Sequence, residues 1–133
     1  MIGVDTNLLV RFFIYDDDAQ YKLVDKLFQD QEQIGDFIFI SNIVLVELVW
    51  ALRSGYNVSK HDIIQTLTIL LSNPLFQFTD HSLILMALDK YKSGLADFAD
   101  YLIGATGKKY KTETTYTFDK KSGKDSLFTL LGS

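Results

Sequence analysis

The chain contains no cysteine. That excludes disulfides, thiol catalysis and any zinc site built on thiolates, and it agrees with a reducing compartment such as the cytoplasm. Proline occurs once, at position 74, and no Ser/Gly-rich stretch, repeat or low-complexity run interrupts the 133 residues. The expectation is therefore one domain over residues 1–133. Histidine is scarce too. His61 and His81 are far apart, each at the start of a helical pattern, and form no catalytic pair. There is no glycine-rich phosphate loop and no Ser-His-Asp set. The longest apolar run, Ile43 to Leu52, is about half a membrane span and is broken by Glu47. The opening "MIGVDTNLLVRFF" has no basic region ahead of its apolar residues and meets Asp5 at once, unlike a secretory signal. These absences lead us to expect a cytoplasmic chain that does not enter a membrane.

What is present is an ordinary globular composition, 47% hydrophobic and 23% charged, enough to bury a core. The net charge of −4 is unlike that of a simple nucleic-acid binder. The positive charge is uneven, however. Lys108, Lys109, Lys111, Lys120, Lys121 and Lys124 are six of 13 basic residues and fall within 17 positions. They read either as a solvated face or as a local cationic patch.

Apolar spacing divides the chain into alternating strands and helices. "MIGV" reads as a short strand ending at Asp5, followed by the helical "TNLLVRFFI". "DDDAQYKLVDKLFQDQ" is an amphipathic helix with Asp18 as N-cap and Leu23, Val24, Leu27 and Phe28 as its apolar stripe. "DFIFIS" is a strand. "SNIVLVELVWALRSGY" is apolar on nearly every side and is expected to be the most buried helix, ended by Gly55. "SKHDIIQTLTILLSN" opens with Ser59 and Asp62 at capping-box spacing. Pro74 starts a strand, "LFQFT". Two more helices follow, "HSLILMALDKYKSG" and "ADFADYLIGATGKKY", then strands at "TTYTF" and "LFTLL". Such alternation predicts a parallel sheet flanked by helices, a three-layer α/β fold.

In folds of this kind ligands bind beyond the carboxyl ends of the strands. Asp5 and Asp119 each follow a strand, Glu47 lies within about two turns of the start of its helix, and Asp100 is in the first turn of another. The topology therefore directs four carboxylates towards one edge. Glu47 is the lone charge of "IVLVELVWAL" and is expected to be buried, which costs several kcal/mol unless it pairs with Arg11 or Arg53 or binds a cation. Two carboxylates about 4 Å apart repel by roughly 4 kcal/mol at an effective dielectric near 20. A hard divalent cation relieves that, and all-oxygen donors suit Mg²⁺ or Mn²⁺. Such a site can drive in-line displacement at phosphorus. A Mg²⁺-dependent phosphohydrolase or a phosphoacceptor signalling domain is the alternative. The first would place an aspartate at position 7, where the chain has Asn7, and the second would want an N-terminal acidic pair that is absent.

"MIGVDTNLLVR", "LVELVWALRSGY", "ADFADYLIGA" and "TYTFDKK", in this order, resemble the PIN-domain ribonucleases, and among them the VapC-type toxins of toxin–antitoxin pairs. The resemblance implies a Rossmann-like PIN domain and a Mg²⁺- or Mn²⁺-dependent endoribonuclease that hydrolyses RNA phosphodiesters. It also implies a homodimer and a cognate antitoxin whose tail enters the site. The family's acidic ligands carry over onto Asp5, Glu47 and Asp100, with Asp119 as the fourth where many relatives have asparagine. Asp5 and Asp100 are expected to hold the metal, and Glu47 and Asp119 to bind directly or through water. Asp97 is extra, either an N-cap or an outer-sphere metal residue. Thr6, Asn7 and Thr117 would orient the carboxylates. Arg11, Lys108, Lys109, Lys120 and Lys121 are candidates to hold the RNA backbone.

Overall fold

The computed structural model describes residues 1–132. The chain forms two compact units, Met1–Thr79 and the segment from Asp80 onward. The first runs β1 (Ile2–Gly3), α1 (Thr6–Phe13), α2 (Asp18–Gln33), β2 (Ile38–Ile40), α3 (Asn42–Trp50), α4 (Lys60–Ser72) and β3 (Phe76–Phe78). A π-helical turn over Ala51–Gly55 extends α3. The three strands form a parallel sheet in the order β1-β2-β3, with Ile2 opposite Ile38 and Ile38 opposite Phe76. Ile38 and Ile40 are fully buried, and Leu9, Leu45, Leu48, Ile63, Leu67 and Leu70 close over the core from α1, α3 and α4.

Helix starts follow local capping chemistry. The Asp5 carboxylate accepts from Thr6 N–H, Asp17 from Gln20 N–H, Ser41 Oγ from Val44 N–H and Ser59 Oγ from Asp62 N–H. The α2 cap is thus Asp17 rather than Asp18, whose carboxylate is held by Tyr15 and Lys22 instead. The α2 stripe also differs from expectation. Val24, Phe28 and Gln31 form the buried face, so Leu23, one position off that line, is exposed. Gln31 is accommodated because its Nε2 donates to Phe37 O at 3.2 Å. Pro74 lies in a turn closed by Asn73, and β3 begins two residues later.

The second unit runs α5 (His81–Ser93), α6 (Phe98–Lys109), β4 (Thr115–Thr117), a 3-10 turn (Ser122–Lys124) and β5 (Phe128–Leu130). β4 and β5 pair in parallel, Thr115 opposite Phe128. Ile84, Ala87, Leu88 and Tyr91 of α5 and Phe98, Tyr101, Leu102 and Ala105 of α6 form its core with Leu127 and Phe128. Gly104 lets α6 approach β5: a Cβ there would stand 2.8 Å from the Phe128 ring. All the strands pair in parallel, as the alternating order predicts, and they do so as a group of three and a group of two. Among the described residues no helix is long and apolar enough to cross a membrane.

Candidate active site

Each unit gathers part of the acidic set. In the first, Asp5 follows β1 and caps α1, so its carboxylate stands at the carboxyl end of the sheet. Asp5 Oδ1 accepts from Thr6 N–H at 2.7 Å, and the Thr6 hydroxyl donates to Glu47 Oε1 at 3.3 Å. Thr6 is buried and joins α1 to α3, so one residue touches both carboxylates. Asn7 is exposed and lines a groove instead.

Glu47 is exposed, against expectation. The buried face of α3 and its extension is Leu45, Leu48, Val49 and Leu52. Ile43, Glu47 and Trp50 share the opposite face, at i, i+4 and i+7. Ile43 is 72% and Trp50 70% exposed, so α3 is apolar without being buried all round. No desolvation penalty therefore holds Glu47 to a partner. Arg11 binds elsewhere: its guanidinium donates to Gln20 Oε1, Asp16 Oδ1 and the Tyr56 hydroxyl. It lines the groove formed with Asn7, Leu8, Gln20, Leu23, Val24 and Leu27, about 300 Å³ in volume.

In the second unit Asp97 has extended backbone and caps α6, and Asp100 sits in the first turn. Asp100 Oδ2 accepts from Asp97 N–H at 3.2 Å, the returning half of a capping box. Burial pushes the Asp100 carboxyl above the usual carboxylate range, and the negative charges of Asp97 and Asp119 push it further, against the lowering effect of the Asp97 N–H. Asp97, Asp100 and Asp119 thus feel one another. Asp119 has a different setting. Its Oδ1 accepts from Lys121 N–H at 3.0 Å and its Oδ2 from the Ser122 hydroxyl at 3.0 Å. These donors hold it below the usual range. Thr117 Oγ1 accepts from Asp119 N–H at 3.0 Å, so Thr117 fixes the backbone of this acid.

Ser122 is 1% exposed and was not among the residues singled out from the sequence. Its only signal there is a hydroxyl three residues after an aspartate. Among the lysines, Lys109 forms an ion pair with Asp80, the cap of α5, at 2.9 Å. That bond lowers Asp80 and raises Lys109. Lys108, Lys120 and Lys121 are exposed.

The donor chemistry suits a hard cation: every candidate is a carboxylate, and ionised Asp100 lies in a negative field that a cation would relieve. Among the described residues no group of three or more His, Cys, Asp or Glu side chains is gathered closely enough to hold a metal ion. Asp5 and Glu47 meet through Thr6 in one unit, while Asp97, Asp100 and Asp119 interact in the other.

The PIN domain model matches residues 2–124, and the chain belongs to that family. The match takes in all the candidate acids and stops at the end of the turn that follows Asp119. At the level of individual proteins the chain is similar to the VapC ribonuclease of Aquifex aeolicus (strain VF5). The two are 25% identical over 118 residues, covering 89% of this chain and 87% of the relative.

Proposed function

We propose that the chain is a Mg²⁺- or Mn²⁺-dependent endoribonuclease, the toxin of a toxin–antitoxin pair. The observation that carries the reading is the acidic set at strand and helix ends of a PIN domain, Asp5 with Glu47 and Asp100 with Asp119. The similarity to a VapC ribonuclease supports RNA as the substrate. When bound, the cation would neutralise charge at the phosphate and make a water more acidic. Asp5 and Asp100 would be its main ligands, with Glu47 and Asp119 directly or through water. Asp97 acts as the α6 cap. Thr6 holds Asp5 and Glu47 in register, and Thr117 with Ser122 fixes Asp119. Cleavage by water would leave 5′-phosphate and 3′-hydroxyl ends. Lys108, Lys120 and Lys121 are free to meet the RNA backbone, whereas Arg11 and Lys109 would have to leave their carboxylate partners.

The apolar groove lined by Leu8, Leu23, Val24 and Leu27 suits an antitoxin segment, and a cation on its tail would compete with the metal for the acids. Exposed Ile43 and Trp50 support a homodimer. The test is cleavage of end-labelled RNA with Mg²⁺, with Mn²⁺ and in chelator, beside Asp5→Asn and Asp100→Asn. We expect cleavage only with metal and a loss of at least about 100-fold in either variant. Undiminished cutting in excess chelator rejects the metal mechanism, and no cutting of any RNA under any condition rejects the nuclease.

A further inference from the structure

Phe118 is the most exposed large apolar side chain among the described residues, at 79%. Its backbone is not loose. The bond from Asp119 N–H to Thr117 Oγ1 closes around it, and Lys121 N–H and the buried Ser122 hydroxyl hold both oxygens of Asp119. The turn therefore displays a phenyl ring to water on a fixed backbone, one residue from a candidate acid. Tyr116, two residues earlier on β4, is also exposed. Exposed Lys120 and Lys121 follow directly.

An aromatic face next to cations fits the two halves of a nucleotide, base and phosphate. A purely apolar protein partner would gain nothing from the lysines. A base is free to stack on a side chain only where it is unpaired, because a duplex keeps its base faces covered. We propose that Phe118 is a specificity-determining residue: its ring stacks on an unpaired RNA base beside the phosphodiester to be cut, with Lys120 and Lys121 on the phosphates. This rests on the nuclease reading above.

The test compares wild type, Phe118→Ala and Phe118→Trp, the last in a Trp50→Phe background so that its indole is the sole tryptophan. Binding of a labelled single-stranded oligoribonucleotide and of a duplex of the same sequence is measured in chelator, and cleavage kinetics are measured with metal. Phe118→Ala should weaken single-strand binding about tenfold and raise KM with kcat little changed, without lowering Tm. Phe118→Trp should restore affinity, and single strands but not duplex should quench its fluorescence. Equal binding by wild type and Phe118→Ala overturns the stacking while leaving the nuclease intact, as does equal affinity for duplex. A change in sedimentation of Phe118→Ala, in place of a change in RNA affinity, assigns the ring to a protein interface and also overturns it. Absence of cleavage by wild type, with single-strand binding still dependent on Phe118, overturns the nuclease and leaves the stacking standing.

Discussion

Asp97 and Asp100 lie one helical turn apart and do opposite things to the folded state. Asp97 opens α6, where a carboxylate meets the positive end of the helix dipole. Asp100 accepts one N–H, yet burial and two negative neighbours leave its ionised form disfavoured. A carboxyl whose folded pKa is raised contributes stability that is fully present below its unfolded pKa and is lost as the pH rises through the folded value. Asp119 and Asp80 have lowered values, so their contributions are present above the unfolded pKa and are lost as the pH falls. Asp100→Asn should therefore raise Tm in chelator at pH 7, by about 1–3 °C, and the gain should vanish near pH 3. Thermal melts of the variant and wild type across that range check the sign. This much of Asp100 was legible in "ADFADYLIGA", since a first-turn position and an acidic neighbour are local facts. The bonds of Arg11 to Asp16 and of Lys109 to Asp80 were not. The Lys109 partner caps another helix, and neither pairing has a local signal in the sequence.

Helices and strands were readable because their signals are short-range: a cap, an apolar period, a turn residue. Consecutive aspartates at 16–18 offered three equivalent caps, which is why the assignment slipped by one. The burial of α3 misled for a different reason. A run as apolar as "IVLVELVWAL" carries little periodic contrast, so nothing in it marked Glu47 as solvent-facing. The role of Ser122 depends on a turn folding back onto Asp119, which spacing hints at but does not establish. Close packing between elements is likewise invisible until they meet. A Cβ at Gly104 would stand 2.8 Å from the Phe128 ring and 3.0 Å from Leu127 Cβ, whereas one at Gly55 meets nothing within 4 Å. Gly104→Ala should gain about 1 kcal/mol of helix propensity and lose more than that to overpacking, a net fall of about 1–2 kcal/mol. Gly55→Ala should leave stability level or slightly higher. Urea denaturation of both measures the contrast.

At the scale of the whole molecule the family and the parallel connectivity agree, because each parallel pair needs a crossover: helices supply it in the first unit, and a loop with one 3-10 turn supplies it between β4 and β5. That pairing has a kinetic side. Ile2 meets Ile38, and Ile38 meets Phe76, so each strand contact of the first unit closes a loop of roughly three dozen residues. In the second unit Thr115 meets Phe128, and α5 and α6 are sequence neighbours. Refolding should therefore protect amides of α5 and α6 from hydrogen exchange before those of Ile2 and Ile38, which pulse labelling resolves. Synthesis runs the other way. The slow sheet emerges first, and β1 waits on the order of 4–15 s for β3 at ordinary elongation rates. Asp100 and Asp119 leave the ribosome later still. A nascent chain halted after β3 would carry Asp5 and Glu47 without Asp100 and Asp119, so the proposed acidic set is completed only by synthesis of the second unit.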